Sequence, residues 1–255
     1  MNMPYQPSTS LGAKVARRLL PFQARRELSF TIERPIVSFT FDDFPRSAIK
    51  NGANVLTRQG WKGTFYVAAG LQGLTNHHGK NFSVRDLEYL QKMGHEIAGH
   101  TFGHMDCQSL PVSEVLADID RNQAMLKSMG IEGGSEHFAF PYGAASPALK
   151  RGLAARFKSL RGIAPGVHRG KVDLNGLKSA PIFSGDKLHQ AVDLIEGLKK
   201  RPGWLTLFTH DIREDHSEWG CTPMEFSYVI KAVQDSGALV LPVGEAIKHL
   251  EANHG

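Results

Sequence analysis

Ile36-Val37-Ser38-Phe39-Thr40-Phe41-Asp42-Asp43 is an apolar, β-branched and aromatic run that stops in two carboxylates. A short run of that kind reads as a buried strand of the type found in parallel sheets. Two carboxylates beside such a strand are costly unless a cation or a proton uses them. If the strand continued through both, their side chains would point in opposite directions. One could then bind a cation while the other meets substrate. An Asp can also cap a following helix, which accounts for one of the pair more readily than for both.

Outward from this run, short β-rich stretches alternate with amphipathic helices, which predicts an α/β chain with a mainly parallel sheet. Further strands are expected at 63–67, 95–99, 137–140, 204–209 and 238–241, with two short ones in the irregular stretch 158–181. Helices are expected over 46–59, 83–93, 111–129, 147–157, 186–200 and 222–236, with a last one from about Gly244. The stripe Val115, Leu116, Ile119, Leu126, Met129 follows the 3.6-residue period and is core, not a ligand box. Seven or eight strand–helix units fit in about 220 residues, compact for a barrel of eight full repeats. Asp42 and Asp43, His100, Tyr142 and His210 each fall just past the end of an expected strand, the edge where parallel α/β folds build their sites.

The chain has 255 residues, 41% hydrophobic and 22% charged, enough for one large domain. Its formal charge is +5. Residues 1–30 hold Lys14, Arg17, Arg18, Arg25 and Arg26 against Glu27, a net +4, so the rest carries +1. We therefore read residues 1–34 as a basic N-terminal arm, a solvated helix packed across the end of the domain, and residues 35–255 as a single domain. The arm is also where contacts of a homo-oligomer could form. No nucleic-acid-binding motif is present, and no apolar run reaches the length of a membrane span. The longest apolar stretch near the start, Leu19-Leu20-Pro21-Phe22, is too short for a secretory leader, and the expected location is cytoplasmic. Cys107 and Cys221 alone make no disulfide framework.

His100 and His104 stand at i, i+4 and can face one way to chelate a divalent metal with one Asp. Imidazole nitrogen plus carboxylate oxygen suits Zn²⁺ with a position left for water, although the same donors serve Fe(II) oxygenases. His210, at the end of the strand 204–209, can supply a proton to a leaving group. Pro141-Tyr142-Gly143 is a turn whose backbone N–H could face an oxyanion. Cys107 reads as a small buried thiol and not as a fourth ligand.

Taken together in this order, Thr40-Phe41-Asp42-Asp43, His100-Thr101-x-x-His104, Pro141-Tyr142 and Leu207-x-x-His210 resemble the motifs of the polysaccharide deacetylase family, the NodB-homology carbohydrate esterases. Thr64-Phe65-Tyr66-Val67 is similar to the family's second strand. The resemblance runs from about Pro35 to the last helix. It implies a distorted (β/α) barrel with about seven parallel strands, and a hydrolase that removes acetyl groups from N-acetylated carbohydrate using metal-activated water. It further implies Asp43, His100 and His104 as metal ligands, with Zn²⁺ the expected ion, Asp42 as general base, His210 as general acid, and the Tyr142 backbone N–H on the oxyanion. A hydrolase of a small non-sugar amide and a non-catalytic glycan-binding barrel are the alternatives.

Three positions depart from the family pattern. Phe44 stands where Gly is common and is expected to reshape the cleft floor. Ala139 replaces an Arg that pairs with the base, and Arg161 is expected to supply that cation instead. The Asp-x-x-Asp-Trp motif that tunes the acid is missing, leaving Asp173 and Asp211 as substitute partners for His210.

Overall fold

The structure is a computed structural model and describes residues 22–134 and 136–253. In chain order its strands are β1 (Glu27–Ser29), β2 (Ile36–Asp42), β3 (Thr64–Val67), β4 (Thr75–Asn76), β5 (Gly79–Lys80), β6 (Glu96–Gly99), β7 (His137–Ala139), β8 (Ser159–Arg161), β9 (Lys171–Asp173), β10 (Ala180–Pro181), β11 (Trp204–Thr209) and β12 (Leu239–Val240). The helices are α1 (Arg46–Ala48), α2 (Asn54–Arg58), α3 (Val84–Lys92), α4 (Val112–Ser128), α5 (Pro147–Ala154), α6 (Asp186–Lys200), α7 (Pro223–Asp235) and α8 (Val243–Ala252).

The main sheet runs β10-β11-β2-β3-β6-β7-β8, every pairing parallel, and curls into a distorted (β/α) barrel. Strand β2 is its centre, and all seven of its residues are buried. β12 pairs with Ile36 and Val37 of β2, while β3 pairs with its last residues, Thr40 to Asp42. The core lies between this sheet and the helices. Phe39 and Phe41 of β2 pack on Phe226 of α7, with ring centroids 5.8 and 6.3 Å apart. Capping boxes fix the starts of α3 (Ser83 with Asp86) and α7 (Thr222 with Glu225), as the sequence pattern at 222–225 predicts. Leu126 and Ile119 of the α4 stripe are buried in the core.

The helix expected over 46–59 is interrupted. Between α1 and α2 the chain widens into a π-helical turn, Ile49–Ala53. Gly52 in that turn lies against β2: a Cβ there would sit 2.8 Å from the Phe41 ring and 3.0 Å from Ile212. The stretch 158–181 holds three strands in place of two, and β9 leaves the main sheet to pair antiparallel with β1. Of the basic arm, Lys14, Arg17 and Arg18 lie outside the described residues. The described part is docked: the Arg26 carbonyl accepts from the Leu174 N–H, and Phe30 is buried. Among the described residues no helix is long and apolar enough to cross a membrane.

Candidate active site

The sheet's C-terminal edge opens into a cleft of about 330 Å³. Asp42, Asp43, His100, His104, Tyr142 and His210 all line it, brought together from the ends of β2, β6, β7 and β11. Its walls are apolar, formed by Leu71, Phe140, Ile163, Phe183, Phe208 and Trp219.

β2 ends at Asp42, so Asp43 does not continue the strand. It adopts φ +44°, in the left-handed region. Thr101 (φ +57°), His104 (φ +53°) and Tyr142 (φ +58°) do the same. Non-glycine residues pay for that conformation, and such strain clusters where surrounding structure must aim a side chain. Asp42 and Asp43 thus both reach the cleft, through a turn of the backbone at Asp43 and not through strand alternation.

Asp43 Oδ2 lies 2.7 Å from His104 Nε2, and its Oδ1 lies 3.9 Å from His100 Nε2. Burial alone would push the Asp43 carboxyl up. The charge and hydrogen bond of His104, joined by His100 and His210, outweigh burial and hold it well below the usual carboxylate range. The His100 Nδ1–H donates to the Ala139 carbonyl at 2.8 Å, which leaves its Nε2 lone pair facing Asp43. Burial lowers the His100 pKa, against the pull of Asp43 and Asp42, and so favours the neutral, ligating form. His104 Nδ1 meets the Tyr142 hydroxyl at 2.9 Å. These are the partners that orient metal-bound imidazoles.

Asp43, His100 and His104 therefore offer three ligand atoms within 4.8 Å of one another. Asp43 Oδ1 is buried with no hydrogen-bond partner among the described residues, as a donor atom meant for a cation would be. The residues present fit a divalent ion of the zinc type. A second set within the same spacing shares Asp43 and adds His78 and His210.

Asp42 is 4% exposed and ion-paired through Oδ2 to the Arg161 guanidinium, while its Oδ1 is buried and unpartnered among the described residues. The register explains the cation: Arg161 on β8 stands opposite Ala139 on β7, so the charge comes from the neighbouring strand and passes a side chain small enough to admit it. Arg161 is fully buried, donates to Ser179 Oγ at 3.1 Å and the Gly162 carbonyl at 3.2 Å, and lies 4.8 Å from the Tyr66 ring centroid.

His210 closes β11, and its Nδ1–H donates to the Trp219 carbonyl at 3.1 Å, which leaves Nε2 for the cleft. Burial lowers its pKa, with Asp42 and Asp43 pulling the other way. Neither expected substitute partner serves it. Asp173 sits on β9, where it accepts from the Arg26 N–H at 2.9 Å and pairs with Lys150 at 3.5 Å. Asp211 is buried but turned to Arg213 Nε (2.9 Å) and Ser217 Oγ (2.7 Å). Phe44 also departs from expectation: its ring is buried against Phe65 and Phe82, with centroids 5.0 and 4.8 Å away, and takes no part in the cleft floor. Cys107 is buried, and burial pushes its thiol far up, which suits an inert core residue.

Sequence reasoning missed His77, His78, Phe183 and Trp219. For His77 and His78 the one available signal was the Asn76-His77-His78-Gly79 tip; Phe183 and Trp219 carried none.

Residues 31–156 match the family model described as polysaccharide deacetylase. No curated protein sequence matches the chain. Among solved structures, the Xyl-CE4 domain of a multidomain xylanase from the hindgut metagenome of Trinervitermes trinervoides superposes with TM-score 0.59 at 18% identity, covering 85% of this chain and 91% of that one. The chitin deacetylase from the fungal pathogen Colletotrichum lindemuthianum gives TM-score 0.59 at 15% identity, covering 86% and 89%. A family 4 acetyl xylan esterase from Clostridium thermocellum in complex with a cobalt ion gives 0.57 at 21% identity, covering 82% and 89%. These likenesses concern the fold.

Proposed function

We propose that this chain, whose residues 31–156 match the polysaccharide deacetylase model, is a divergent member of that family, and that it hydrolyses acetyl groups from an N-acetylated carbohydrate with the help of a divalent cation, zinc being the best match to its donors. The observation that carries the proposal is the convergence of Asp42, Asp43, His100, His104 and His210 on one cleft.

Asp43, His100 and His104 would hold the cation, which when bound supplies Lewis-acid polarisation of the acyl carbonyl. Asp42 presents its unpartnered Oδ1 to the attacking water and takes its proton as the new C–O bond forms. Arg161 fixes the opposite oxygen of that carboxylate, so the base keeps one orientation. The Tyr142 backbone N–H is assigned to the developing oxyanion. His210, in its doubly protonated form, gives its Nε2 proton to the departing amine and keeps the Nδ1–H on the Trp219 carbonyl, yielding acetate and a free amino sugar. Leu71, Phe140, Ile163, Phe183, Phe208 and Trp219 form apolar walls around these groups.

The test is acetate release from a panel of N- and O-acetylated sugars and oligosaccharides by zinc-loaded protein, compared with Asp42→Asn. Acetate from the N-acetylated members, lost by at least about 100-fold in the variant, is expected for a general base. Acetate from O-acetylated members alone would shift the reading to an ester substrate. Silence across the panel from protein that carries its cation would replace it with a glycan-binding barrel.

A further inference from the structure

We propose that His78 is the positioning residue of His210, in place of the carboxylate that neither Asp173 nor Asp211 provides. This rests on the reading of His210 as the acid.

The two imidazoles stack nearly parallel, with centroids 4.7 Å apart and an interplanar angle of 6°. Phe183 packs on the His210 ring as well, at 5.8 Å. His78 comes from the turn between β4 and β5, far in sequence from β11, yet it is only 4% exposed. Its own ring is fixed. Ser217 Oγ donates its hydroxyl hydrogen to Asp211 Oδ1 at 2.7 Å, so at 2.9 Å from His78 Nδ1 it can only accept, and Nδ1 carries the proton. Asp211 is held in turn by the Ser217 N–H (2.8 Å) and Arg213 Nε (2.9 Å).

Arg213 also locks the two loops together, donating from Nη2 to the His77 carbonyl at 3.0 Å. Gly79, at φ +108°, lets the turn approach this guanidinium: a Cβ there would stand 3.2 Å from Arg213 Nη1. His77 packs its edge on Trp219, whose carbonyl is the His210 partner, at 5.0 Å. The whole assembly of turn 77–79 and loop 211–219 thus bears on one ring. A single hydrogen bond at Nδ1 leaves an imidazole free to tilt about that bond. A flat ring stacked on its face removes the tilt and aims Nε2 at the leaving atom. A misplacement of about 1 Å at such a group costs on the order of 100-fold.

The experiment compares wild type with His78→Ala and His78→Phe on two substrates, after zinc loading. An acetamido sugar must have its departing nitrogen protonated as the C–N bond breaks; 4-nitrophenyl acetate releases a phenolate that needs no proton. For His78→Ala we expect kcat on the acetamido sugar to fall about 10- to 100-fold with KM little changed, and the rate on the aryl ester to change less than about three-fold. His78→Phe, which keeps the flat face, should recover most of the loss. Zinc content stays at the wild-type level, and the His210 Nδ1–H resonance in ¹⁵N-labelled protein exchanges faster with water in His78→Ala than in wild type. Equal losses on both substrates, no recovery in His78→Phe, or loss of bound zinc in His78→Ala would overturn the proposal, the last by making His78 a ligand. A wild type that hydrolyses neither substrate refutes the assigned function alone; the Nδ1–H exchange then decides the role of His78, and unchanged exchange sinks it.

Discussion

Arg161→Met tests how the site copes without a cation at position 139. Arg161 is fully buried, and methionine keeps much of its volume and its contact with Tyr66 and Phe208. What is lost is charge. The charge-assisted hydrogen bonds from the guanidinium to Ser179 and Gly162 go with it, but these two acceptors keep each other, since Ser179 Oγ donates to the Gly162 carbonyl at 2.7 Å. Stranding one member of a buried ion pair costs about 3–5 kcal/mol, so the unpaired Asp42 carboxylate dominates. At about 2–4 °C per kcal/mol for a chain of this size, the melting temperature should drop by roughly 6–20 °C. Acetate release should fall about 100-fold as the base loses its fixed orientation. Ala139 and Arg161 are register partners on β7 and β8, so Ala139→Arg added to Arg161→Met should return part of both losses by bringing the guanidinium back from the other strand. The measurements are a thermal melt and an acetate assay on the three variants. A single variant that melts within about 2 °C of wild type and keeps its full rate would refute the reasoning.

Chelation should abolish acetate release, and zinc returned at about 100 times its dissociation constant should stabilise the fold by about 2.7 kcal/mol; calorimetry should see that rise in wild type and none in His100→Ala. Acid should destabilise the protein through two buried neutral histidines remote from the cleft. His95 Nδ1 accepts from the Gly63 N–H and His168 Nε2 from the Lys178 N–H, each at a nitrogen that must stay unprotonated. Burial, helped by Lys62 and Lys178, lowers their pKa values from 6.5 to about 4 and about 3. The unfolded chain therefore binds more protons below pH 6.5, and stability present above that pH is lost as pH falls towards the folded values, by about 2 kcal/mol between pH 6 and 5 for the pair. Denaturant midpoints that stay flat over that unit would contradict this. Gly244→Ala should cost about 1–3 kcal/mol by overpacking, since a Cβ would lie 2.3 Å from Glu96 Oε1 and 2.7 Å from His137 Nε2 at the start of α8; a melt indistinguishable from wild type would show that the helix shifts freely.

Much of this arrangement was legible because strands of a parallel sheet end at one edge. Asp42, His100, Tyr142 and His210 each follow a β-rich run, so locating the runs located the residues relative to each other. Arg161 was legible for the same reason, at the end of the neighbouring strand and directly opposite a small residue, Ala139. Phe44 was misread because the chain turns at Asp43, and nothing in the residue types announces a left-handed aspartate. His78 was invisible to periodicity: β4 and β5 have two residues each, too few for an alternation, and the imidazole reaches His210 only through a turn held by Arg213. The three short strands of 158–181 were undercounted because β9 follows a different sheet, whose partner lies in the N-terminal segment.

The positive dihedrals at Asp43, Thr101, His104 and Tyr142 carry a cost beyond geometry. Each L-residue held there forgoes roughly 1–2 kcal/mol that glycine would not, so the fold would gain thermal endurance by surrendering these side chains. Laboratory selection for heat resistance alone should accordingly drift towards glycine at Thr101, whose side chain lies outside the ligand set, and should do so at the expense of how firmly the adjoining imidazole is held.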